Sequence, residues 1–333
     1  MYRVGVIGCR GIGIRHAAGI AELADPERAQ VVAACDLAPD LLVEFQKHFA
    51  GKWPQIATYT SHREMLEKEN LDILTVATSD HAHTALVVDA AAAGVKGIFC
   101  EKPLATTVED AAAMVAACEA HGVVLSVDHT RHWMPIWHRA HELVEAGEIG
   151  DVQSIVGALR GERAMLYRNG THCLDAICWF SGGRPIWVMG DLEPGFEDYS
   201  EYAGDGGHDP TTEPAANAYI KFDNGVTAFY GGGSKTTPGP KFSIEVIGTT
   251  GCLVIADNES ATLIRDEVAE TITAPAWPIE GIEAGMHELV QILETGGTPA
   301  STGRDGQAVV EVISGILASQ QQGHAPIHIP TER

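Results

Sequence analysis

The sequence predicts an α/β fold that begins with a doubly wound parallel sheet and continues into a second domain rich in strands. Short apolar runs alternate with helical patterns over the first third of the chain, and this alternation is typical of βαβ units with helices on both faces of a sheet. A glycine-rich turn, GCRGIG, follows the first apolar run. Beyond about residue 125, strand-like runs follow one another with few helices between them.

The elements of the first third can be placed from their periodicity. Apolar runs predict strands at residues 2–8, 30–36, 71–77, 97–100 and 123–127. Helical patterns predict helices at residues 13–24, 39–50, 61–69, 83–93 and 108–121. Because a helix lies between successive strands, we expect the strands to be parallel.

The remainder of the chain has a different order of predicted elements, with more strands and fewer helices. Strands are predicted at residues 151–159, 185–191, 215–222, 226–231, 242–247 and 252–256. Helices are predicted at residues 133–146, 171–180, 282–294 and 305–320. Asn224-Gly225 between two strand-like runs predicts a hairpin. We therefore expect two domains, residues 1–125 and 126–333, with the last helices able to pack back on the first domain.

The length and composition of the chain limit the classes of protein to which it can belong. A chain of 333 residues exceeds what one hydrophobic core usually serves. The formal net charge of −23 argues against a nucleic-acid partner. We expect neither a signal peptide nor a membrane span, because the N-terminus enters a strand directly and the Ala-rich run 82–93 is too short. Seven cysteines without a C-x-x-C pair fit reduced thiols in a cytoplasmic protein.

The glycine-rich turn lies where a dinucleotide-binding loop needs it, after a strand and before a helix. The N–H groups at the start of that helix can hold a pyrophosphate. Asp36 ends the second predicted strand, where a carboxylate binds the adenosine ribose and repels a 2′-phosphate. No basic residue stands beside it, so we expect NAD rather than NADP. The residues of the turn expected to contact this cofactor are Gly8, Cys9, Arg10, Gly11, Ile12 and Gly13.

Arg10 replaces the middle glycine of the G-x-G-x-x-G pattern, which normally lets the backbone approach the pyrophosphate closely. A side chain that points outward leaves binding intact, and a guanidinium can pair with phosphate oxygens. We therefore expect the turn to bind the cofactor with Arg10 holding part of the phosphate charge.

Two further motifs carry a resemblance to a known family. ATSDHAHTALVVDAAAAGVKGIFCEKPLATT contains Thr78, His83 and the E-K-P sequence at residues 101–103. GTHCLDAICWFSG contains the G-x-H-x-x-D pattern at residues 170–175. With these motifs in order, the chain resembles the Gfo/Idh/MocA oxidoreductases over essentially its whole length. The family is named for glucose–fructose oxidoreductase, inositol dehydrogenase and a rhizopine catabolism protein.

The resemblance implies an N-terminal Rossmann domain with a doubly wound parallel sheet, plus a C-terminal α+β domain with a large open, mostly antiparallel sheet. It also implies a homodimer or homotetramer, because family members usually associate through that open sheet face. The implied activity is NAD-dependent hydride transfer between nicotinamide and a secondary alcohol of a sugar, cyclitol or sugar acid.

The resemblance also implies roles for particular residues. Lys102 is the expected acid/base, because the positive charge of an oxidised nicotinamide disfavours an ammonium group beside it. His172 is expected to assist by sharing the proton or binding the hydroxyl. Thr78, His83, Glu101 and Lys102 are expected to contact the cofactor. The Lys102–Pro103 bond is expected to be cis.

Arg168 stands four residues before His172, where many sugar-oxidising members of the family carry Asp. Arg160 and Arg163 lie close to it in a chain that is poor in basic residues. We expect part of this cluster to grip an anionic substrate such as a sugar acid, a sugar phosphate or a sulfonated sugar. Pairing with surface carboxylates stays open as an alternative. The expected substrate-binding residues are Arg168, Asp175, Arg131 and Arg163, although Asp175 would equally fit a capping or ion-pair role.

Two other functions stay open at this point. One is an NAD-using lyase or glycosidase that oxidises C3 transiently, with no net redox change. The other is a catalytically silent cofactor-binding protein, suggested by Arg10 and by the missing Asp. The histidine pairs near residues 81, 129 and 138 lack the further ligands that a tetrahedral zinc site needs, so no metal is expected.

Overall fold

The computed structural model describes residues 1–162, 164–202, 209–233, 241–258 and 260–330. The chain divides into two compact units. The first unit comprises Met1–Ala105, Glu109–Trp133 and Pro278–Arg304. The second comprises Thr106–Val108, Met134–Trp277 and the chain from Asp305 onward. The predicted division between residues 125 and 126 stays a prediction.

The first unit contains a parallel sheet of six strands in the order β3-β2-β1-β4-β5-β6, as expected for a Rossmann fold. Its strands are β1 (Tyr2–Ile7), β2 (Ala29–Cys35), β3 (Ala57–Tyr59), β4 (Ile73–Val76), β5 (Gly97–Cys100) and β6 (Val124–Val127). The helices between them are α1 (Ile12–Ala21), α2 (Pro39–Phe49), α3 (His62–Glu69), α4 (His83–Ala92) and α5 (Val108–His121). The predicted doubly wound sheet is confirmed.

The second unit contains a sheet of nine strands in the order β14-β13-β12-β11-β7-β10-β9-β8-β15. Its strands are β7 (Val152–Leu159), β8 (Pro185–Leu192), β9 (Ala216–Phe222), β10 (Thr227–Gly231), β11 (Phe242–Gly248), β12 (Gly251–Ala256), β13 (Ser260–Arg265), β14 (Val268–Ile272) and β15 (Ile327–His328). Only β7 and β10 pair in parallel among these described strands. The predicted mostly antiparallel sheet is confirmed, as is the hairpin at Asn224-Gly225, where Gly225 has φ 91°.

Helix α7 (Thr171–Ser181) covers one face of this second sheet, and α6 (Pro135–Glu145) precedes its first strand. The packing of α7 on β7 is close: a Cβ built at Gly157 would lie 2.7 Å from Ile177 and 2.9 Å from the Cys173 sulfur. Glycine at position 157 therefore lets the helix that carries the G-x-H-x-x-D motif lie directly on the strand. The core of this unit is formed by apolar residues of this face and of the helices that cover it.

The two closing helices belong to different cores. Helix α8 (Ile282–Thr295) packs in the first unit, where Gly19 of α1 leaves room for Met286 and Gly97 of β5 leaves room for Leu289. From Asp305 onward, α9 (Gly303–Gln321) packs in the second unit, with Ile316 against Gly190 of β8. Among the described residues, no helix is both long enough and apolar enough to cross a bilayer.

Candidate active site

The carboxyl ends of the central parallel strands meet at one edge of the first sheet, as parallel pairing requires. The glycine turn follows β1, Thr78 lies just beyond β4, and Glu101 follows β5 directly. Backbone hydrogen bonds continue the pairing past the strand ends: Ala77 N–H to Ile7 O (2.9 Å), Glu101 N–H to Val76 O (2.9 Å) and Asp128 N–H to Cys100 O (2.8 Å). Residues that are far apart in sequence are thereby held in one row.

The glycine turn is closed by contacts that no larger residue could make. A Cβ at Gly13 would lie 1.7 Å from the Gly8 carbonyl oxygen, and a Cβ at Gly8 would lie 2.1 Å from the Ala77 carbonyl oxygen. Gly8 also has φ 89°, in the region that favours glycine. These two glycines therefore bring the start of α1 against the ends of β1 and β4.

The turn fits an anionic group at the start of α1. Gly11 is the N-cap of this helix, so no side chain caps its first N–H groups. Arg10, Gly11 and Ile12 are exposed, and the space around Gly11 is open. The helix dipole and the Arg10 guanidinium both favour negative charge at this position. The middle position of the motif is thus occupied by an exposed cation, which leaves the backbone of the turn accessible.

Asp36 follows β2, and its carboxylate is hydrogen-bonded to the glycine turn that follows the neighbouring strand β1. Its Oδ2 accepts a hydrogen bond from Cys9 N–H at 2.9 Å, and its Oδ1 accepts one from Ala38 N–H at 2.9 Å. Leu37 beside it is 89% exposed and carries no charge. Burial, followed by the Asp36 charge, raises the pKa of the Cys9 thiol to about 12, so Cys9 is not a reactive thiolate.

Glu101 and Lys102 are the two residues that follow β5. Glu101 is buried, whereas Lys102 is half-buried. The Lys102 N–H donates to Glu101 Oε2 at 3.3 Å. The Lys102–Pro103 bond is cis, as predicted. The Glu101 carboxylate is therefore bonded to the backbone of the residue that is expected to act as acid/base.

His83 lies beneath this segment and is fully buried. Its Nδ1 is 3.1 Å from the carbonyl oxygen of Pro103 and 3.2 Å from that of Leu104, and its Nε2 is 3.4 Å from that of Thr78. Burial lowers the pKa of the His83 ring. The ring holds the loop after β4 against the loop after β5, and direct contact of His83 with a cofactor stays a prediction.

A second buried group in the first unit was not found from the sequence. His16 of α1, Glu101 and Asp128 place one ligand-type atom each within 4.8 Å of one another. His16 and Asp128 could have been recognised as a pair, because His16 lies one helical turn beyond Gly13 and Asp128 follows β6 at the same sheet edge. The sequence signal that could have revealed this pair is the presence of a polar residue at each of these two positions.

The second unit presents Arg168 and His172 on a segment of uncommon geometry. Leu166–Gly170 form a π-helical turn that leads directly into α7, and such turns are frequent at functional sites. Arg168 and His172 are half-buried, whereas Asp175, one helical turn after His172, is buried. The structure thus brings three of the predicted residues of this unit together on one turn and its following helix.

Glu213 anchors that turn and was also missed from the sequence. Its carboxylate, which is 1% exposed, accepts hydrogen bonds from the N–H groups of Tyr167 at 3.3 Å and Arg168 at 3.0 Å. No local pattern around residue 213 indicates this long-range contact. Of the other predicted substrate-binding residues, Arg131 is half-buried in a short 3₁₀ turn of the first unit, and Arg163 lies outside the described residues.

The glycine turn, the acidic residue after β2 and the lysine after β5 together define a dinucleotide-binding oxidoreductase. Family models agree. The model for the oxidoreductase family with an NAD-binding Rossmann fold matches residues 2–129, and the GFO/IDH/MocA C-terminal domain matches residues 137–254. The chain belongs to the Gfo/Idh/MocA family of oxidoreductases, and its first unit carries the NAD-binding Rossmann fold.

Individual relatives agree with this assignment. The chain is 28% identical to D-apiose dehydrogenase of Paraburkholderia graminis, over 97% of this chain and 88% of that protein. It is 26% identical to myo-inositol 2-dehydrogenase of Thermotoga maritima, over 92% of each. The crystal structure of an oxidoreductase from Agrobacterium radiobacter in complex with NAD+, L-tartaric acid and magnesium is similar at a TM-score of 0.81 and 19% identity, over 98% of each chain. The last likeness confirms the fold.

Proposed function

We propose that the protein transfers hydride between NAD and a secondary alcohol of a sugar, cyclitol or sugar acid. The observation that carries this proposal is the position of Lys102. It follows Glu101 at the carboxyl end of β5, on the sheet edge that also holds the glycine turn. Ligands of open parallel sheets bind at this edge, and a half-buried lysine there is placed for proton transfer. D-apiose and myo-inositol dehydrogenases among the relatives support a polyol substrate.

The cofactor, when bound, supplies the hydride acceptor. The turn from Gly8 to Gly13 would hold its pyrophosphate, and Asp36 would accept hydrogen bonds from its adenosine ribose. Thr78 and Glu101 complete the cofactor site along the same edge. We assign to Lys102 the removal of the hydroxyl proton from the substrate, and to His172 the sharing of that proton or the binding of the hydroxyl.

NAD is favoured over NADP by the residues after β2. The Asp36 carboxylate is half-buried and hydrogen-bonded by two N–H groups, so it is fixed in place where a 2′-phosphate would have to lie. Leu37 and Ala38, which follow it, are exposed and cannot neutralise a phosphate. Charge repulsion without a compensating cation therefore disfavours NADP.

An anionic substrate is favoured by Arg168. The Glu213 carboxylate fixes the backbone of this residue in the turn before α7, and a guanidinium grips a carboxylate, phosphate or sulfonate group in bidentate fashion. We assign the same role to Arg131 and Arg163. Asp175 is assigned to a substrate hydroxyl.

The open face of the second sheet is proposed to join copies of this chain into a homodimer or homotetramer. Four side chains stand in register across four strands on this face: Val156, Phe229, Tyr219 and Met189. Phe229 is 51% exposed, and its ring is 4.9 Å from that of Tyr219. An apolar row of this kind on a sheet is typical of a contact surface.

The experiment that tests the activity mixes the protein with NAD+ and panels of neutral and acidic sugars and polyols. NADH absorbance and product mass are followed together. The proposed dehydrogenase forms NADH and a product two hydrogens lighter than the substrate. A lyase or glycosidase converts the substrate while NADH does not accumulate, and a silent cofactor-binding protein gives no product at all.

A further inference from the structure

The buried cluster of His16, Glu101 and Asp128 places two acidic side chains close to each other. One carboxyl oxygen of Asp128 lies within 4.8 Å of one of Glu101, and a hydrogen bond between the two carboxyl groups is among the causes that raise the pKa of Asp128. His16 Nε2 lies 3.5 Å from Glu101 Oε1 and 4.0 Å from Asp128 Oδ2. His16 and Asp128 are 0% and 1% exposed, and Glu101 is 9% exposed. Ionising both of two buried carboxyl groups this close together is strongly disfavoured, so the pair favours a proton held on one of them.

We propose that Asp128 is a positioning residue for the proposed hydride transfer: it keeps a proton and shares it with Glu101, and this hydrogen bond fixes the Glu101 carboxylate in the orientation that accepts the Lys102 N–H. The inference rests on the proposed function for its catalytic meaning. The shared proton itself is a property of the folded first unit and does not depend on any reaction.

Thr130 and His16, which lie beside Asp128, are consistent with a proton at this place. Burial, followed by the charge of Glu101, raises the pKa of Asp128 well above its usual range. The Thr130 hydroxyl donates to Asp128 Oδ1 at 3.1 Å, which leaves Oδ2 to carry the proton. Burial lowers the pKa of His16 to about 4, so its ring is neutral at pH 7 and does not compensate a second negative charge.

The charged residue next to His16 in the sequence is already paired. Arg15 lies next to His16 in α1, and its guanidinium is bound in bidentate fashion by Glu283 of α8, at 2.9 Å and 2.7 Å. The edge of the Phe99 ring packs against the His16 ring, with centroids 5.1 Å apart, and closes one side of the cluster with apolar surface. The Arg15 guanidinium is thus bound to Glu283, while its charge still acts on Glu101 and Asp128.

A metal ion explains the geometry less well than a proton does. A metal-bound imidazole normally donates its other N–H to a carboxylate or carbonyl, but His16 Nδ1 has no hydrogen-bond partner among the described residues. The arrangement fits a proton shared by two carboxyl groups beside a neutral ring.

The test compares the wild type with Asp128→Asn and Asp128→Ala by thermal unfolding from about pH 5 to pH 9. An unfolded Asp128 ionises above about pH 4, while the folded one keeps its proton, so the folded wild type loses stability as the pH rises. Asn donates the same hydrogen bond without a proton to lose. We expect the melting temperature of Asp128→Asn, relative to that of the wild type, to increase steadily as the pH rises. At low pH, Asp128→Ala should have the lowest melting temperature of the three proteins.

Asp72→Asn is the matched control. Burial raises the pKa of Asp72, but hydrogen bonds from Lys96 at 2.8 Å and from Arg3 N–H at 2.9 Å lower it overall, so this carboxylate is ionised when folded. The folded and the unfolded Asp72 are both ionised above about pH 5, so the melting temperature of Asp72→Asn should differ from that of the wild type by a constant amount from about pH 5 to pH 9. The infrared band of a protonated carboxyl group should disappear in Asp128→Asn and persist in Asp72→Asn.

NAD+ binding provides the functional measurement. We expect Asp128→Asn to keep the Kd for NAD+ within about threefold and Asp128→Ala to raise it about tenfold, as for the loss of one buried hydrogen bond. The idea is wrong if Asp128→Asn falls behind the wild type with rising pH, or if the infrared band is absent from the wild type. It is also wrong if a chelator lowers the melting temperature of the wild type alone, because a metal would then hold the cluster. Failure to oxidise any sugar would contradict the proposed function and leave these outcomes intact.

Discussion

The Asp36 carboxylate accepts a hydrogen bond from the Cys9 N–H at 2.9 Å. This contact joins the residue proposed for the adenosine ribose to the turn proposed for the pyrophosphate. Asp36 shapes the turn through one oxygen, and the proposed function gives its negative charge a second role toward the ribose. Replacing it separates two effects that the sequence alone could not distinguish.

Asp36→Ala should raise the Kd for NAD+ by about tenfold to a hundredfold, because both the acceptor for Cys9 N–H and the acceptors for the ribose hydroxyls are lost. Asp36→Asn keeps an acceptor for Cys9 N–H and removes the charge, so it should lower the ratio of the Kd for NADP+ to the Kd for NAD+. Titration calorimetry with both cofactors measures these values. Asp40→Asn, an exposed carboxylate on α2, is the control and should change neither. An unchanged NAD+ affinity in Asp36→Ala would remove this residue from the site.

Gly13→Ala should unfold the turn rather than only weaken binding. The added Cβ would lie 1.7 Å from the Gly8 carbonyl oxygen, and neither backbone segment can move without breaking the contact of β1 with α1. We expect a loss of more than about 2 kcal/mol in the free energy of unfolding. Gly11→Ala is the control: it has φ 53° but nothing within 4 Å, so it should cost only about 1 kcal/mol. Denaturant titration compares the two, and equal losses would contradict the steric argument.

Lys102→Ala should lower kcat by about a hundredfold to ten-thousandfold, the range usual for a general acid or base. The Kd for NAD+ should change by less than about fivefold, because the turn and Asp36 are untouched. Lys96→Ala is the matched control, since Lys96 is an exposed lysine of the same unit paired with Asp72. If Lys102→Ala left every activity of the protein unchanged, the proposed role of Lys102 would be wrong. The alternative of a catalytically silent cofactor-binding protein would then be favoured.

Arg168→Ala should raise the KM for acidic substrates by about tenfold to a hundredfold, the cost of one charged bidentate contact, with little change for neutral sugars. Arg168→Lys should recover only part of this loss, because an ammonium group cannot form both bonds in one plane. Steady-state kinetics on matched acid and alcohol substrates measure the effect, and Arg139→Ala is the control, because Arg139 lies outside the cluster and pairs with Glu142 on α6. Unchanged KM for every accepted acid, with neutral sugars reacting equally well, would rule out an anion-binding role.

The parallel sheet could be predicted because its strands are buried on both sides and stand out as apolar runs between helices. The strands that were missed lack this signal. β3 has three residues, none of them buried, and β14 exposes four of its five residues because it lies at the edge of the second sheet. Such strands form because a neighbouring strand supplies hydrogen bonds, and their own sequence does not record that neighbour.

Some residues of the candidate site could likewise be predicted from the sequence, and others could not. The glycine turn and Asp36 could be placed because each follows a recognisable strand, and strand ends of a parallel sheet share one edge. Lys102 was predicted from the E-K-P motif of the family that the chain resembles. Glu213 could not, because it contacts the turn at residues 166–170 only through the fold of the second unit. Asp128 was available in principle, since it follows β6, but its contact with Glu101 and His16 requires the packing of α1 on the sheet.

Phe229→Glu should dissociate the proposed oligomer. Phe229 stands between Val156 and Tyr219 in the apolar row of the open sheet face, and a carboxylate there would be buried without a partner if two faces met. The fold should survive, because the side chain is 51% exposed in the single chain. Val268→Glu, at 66% exposed on the edge strand β14, is the matched control. Sedimentation or light scattering should give a smaller particle for Phe229→Glu alone; equal particle sizes for both variants and the wild type would place the contact on another surface.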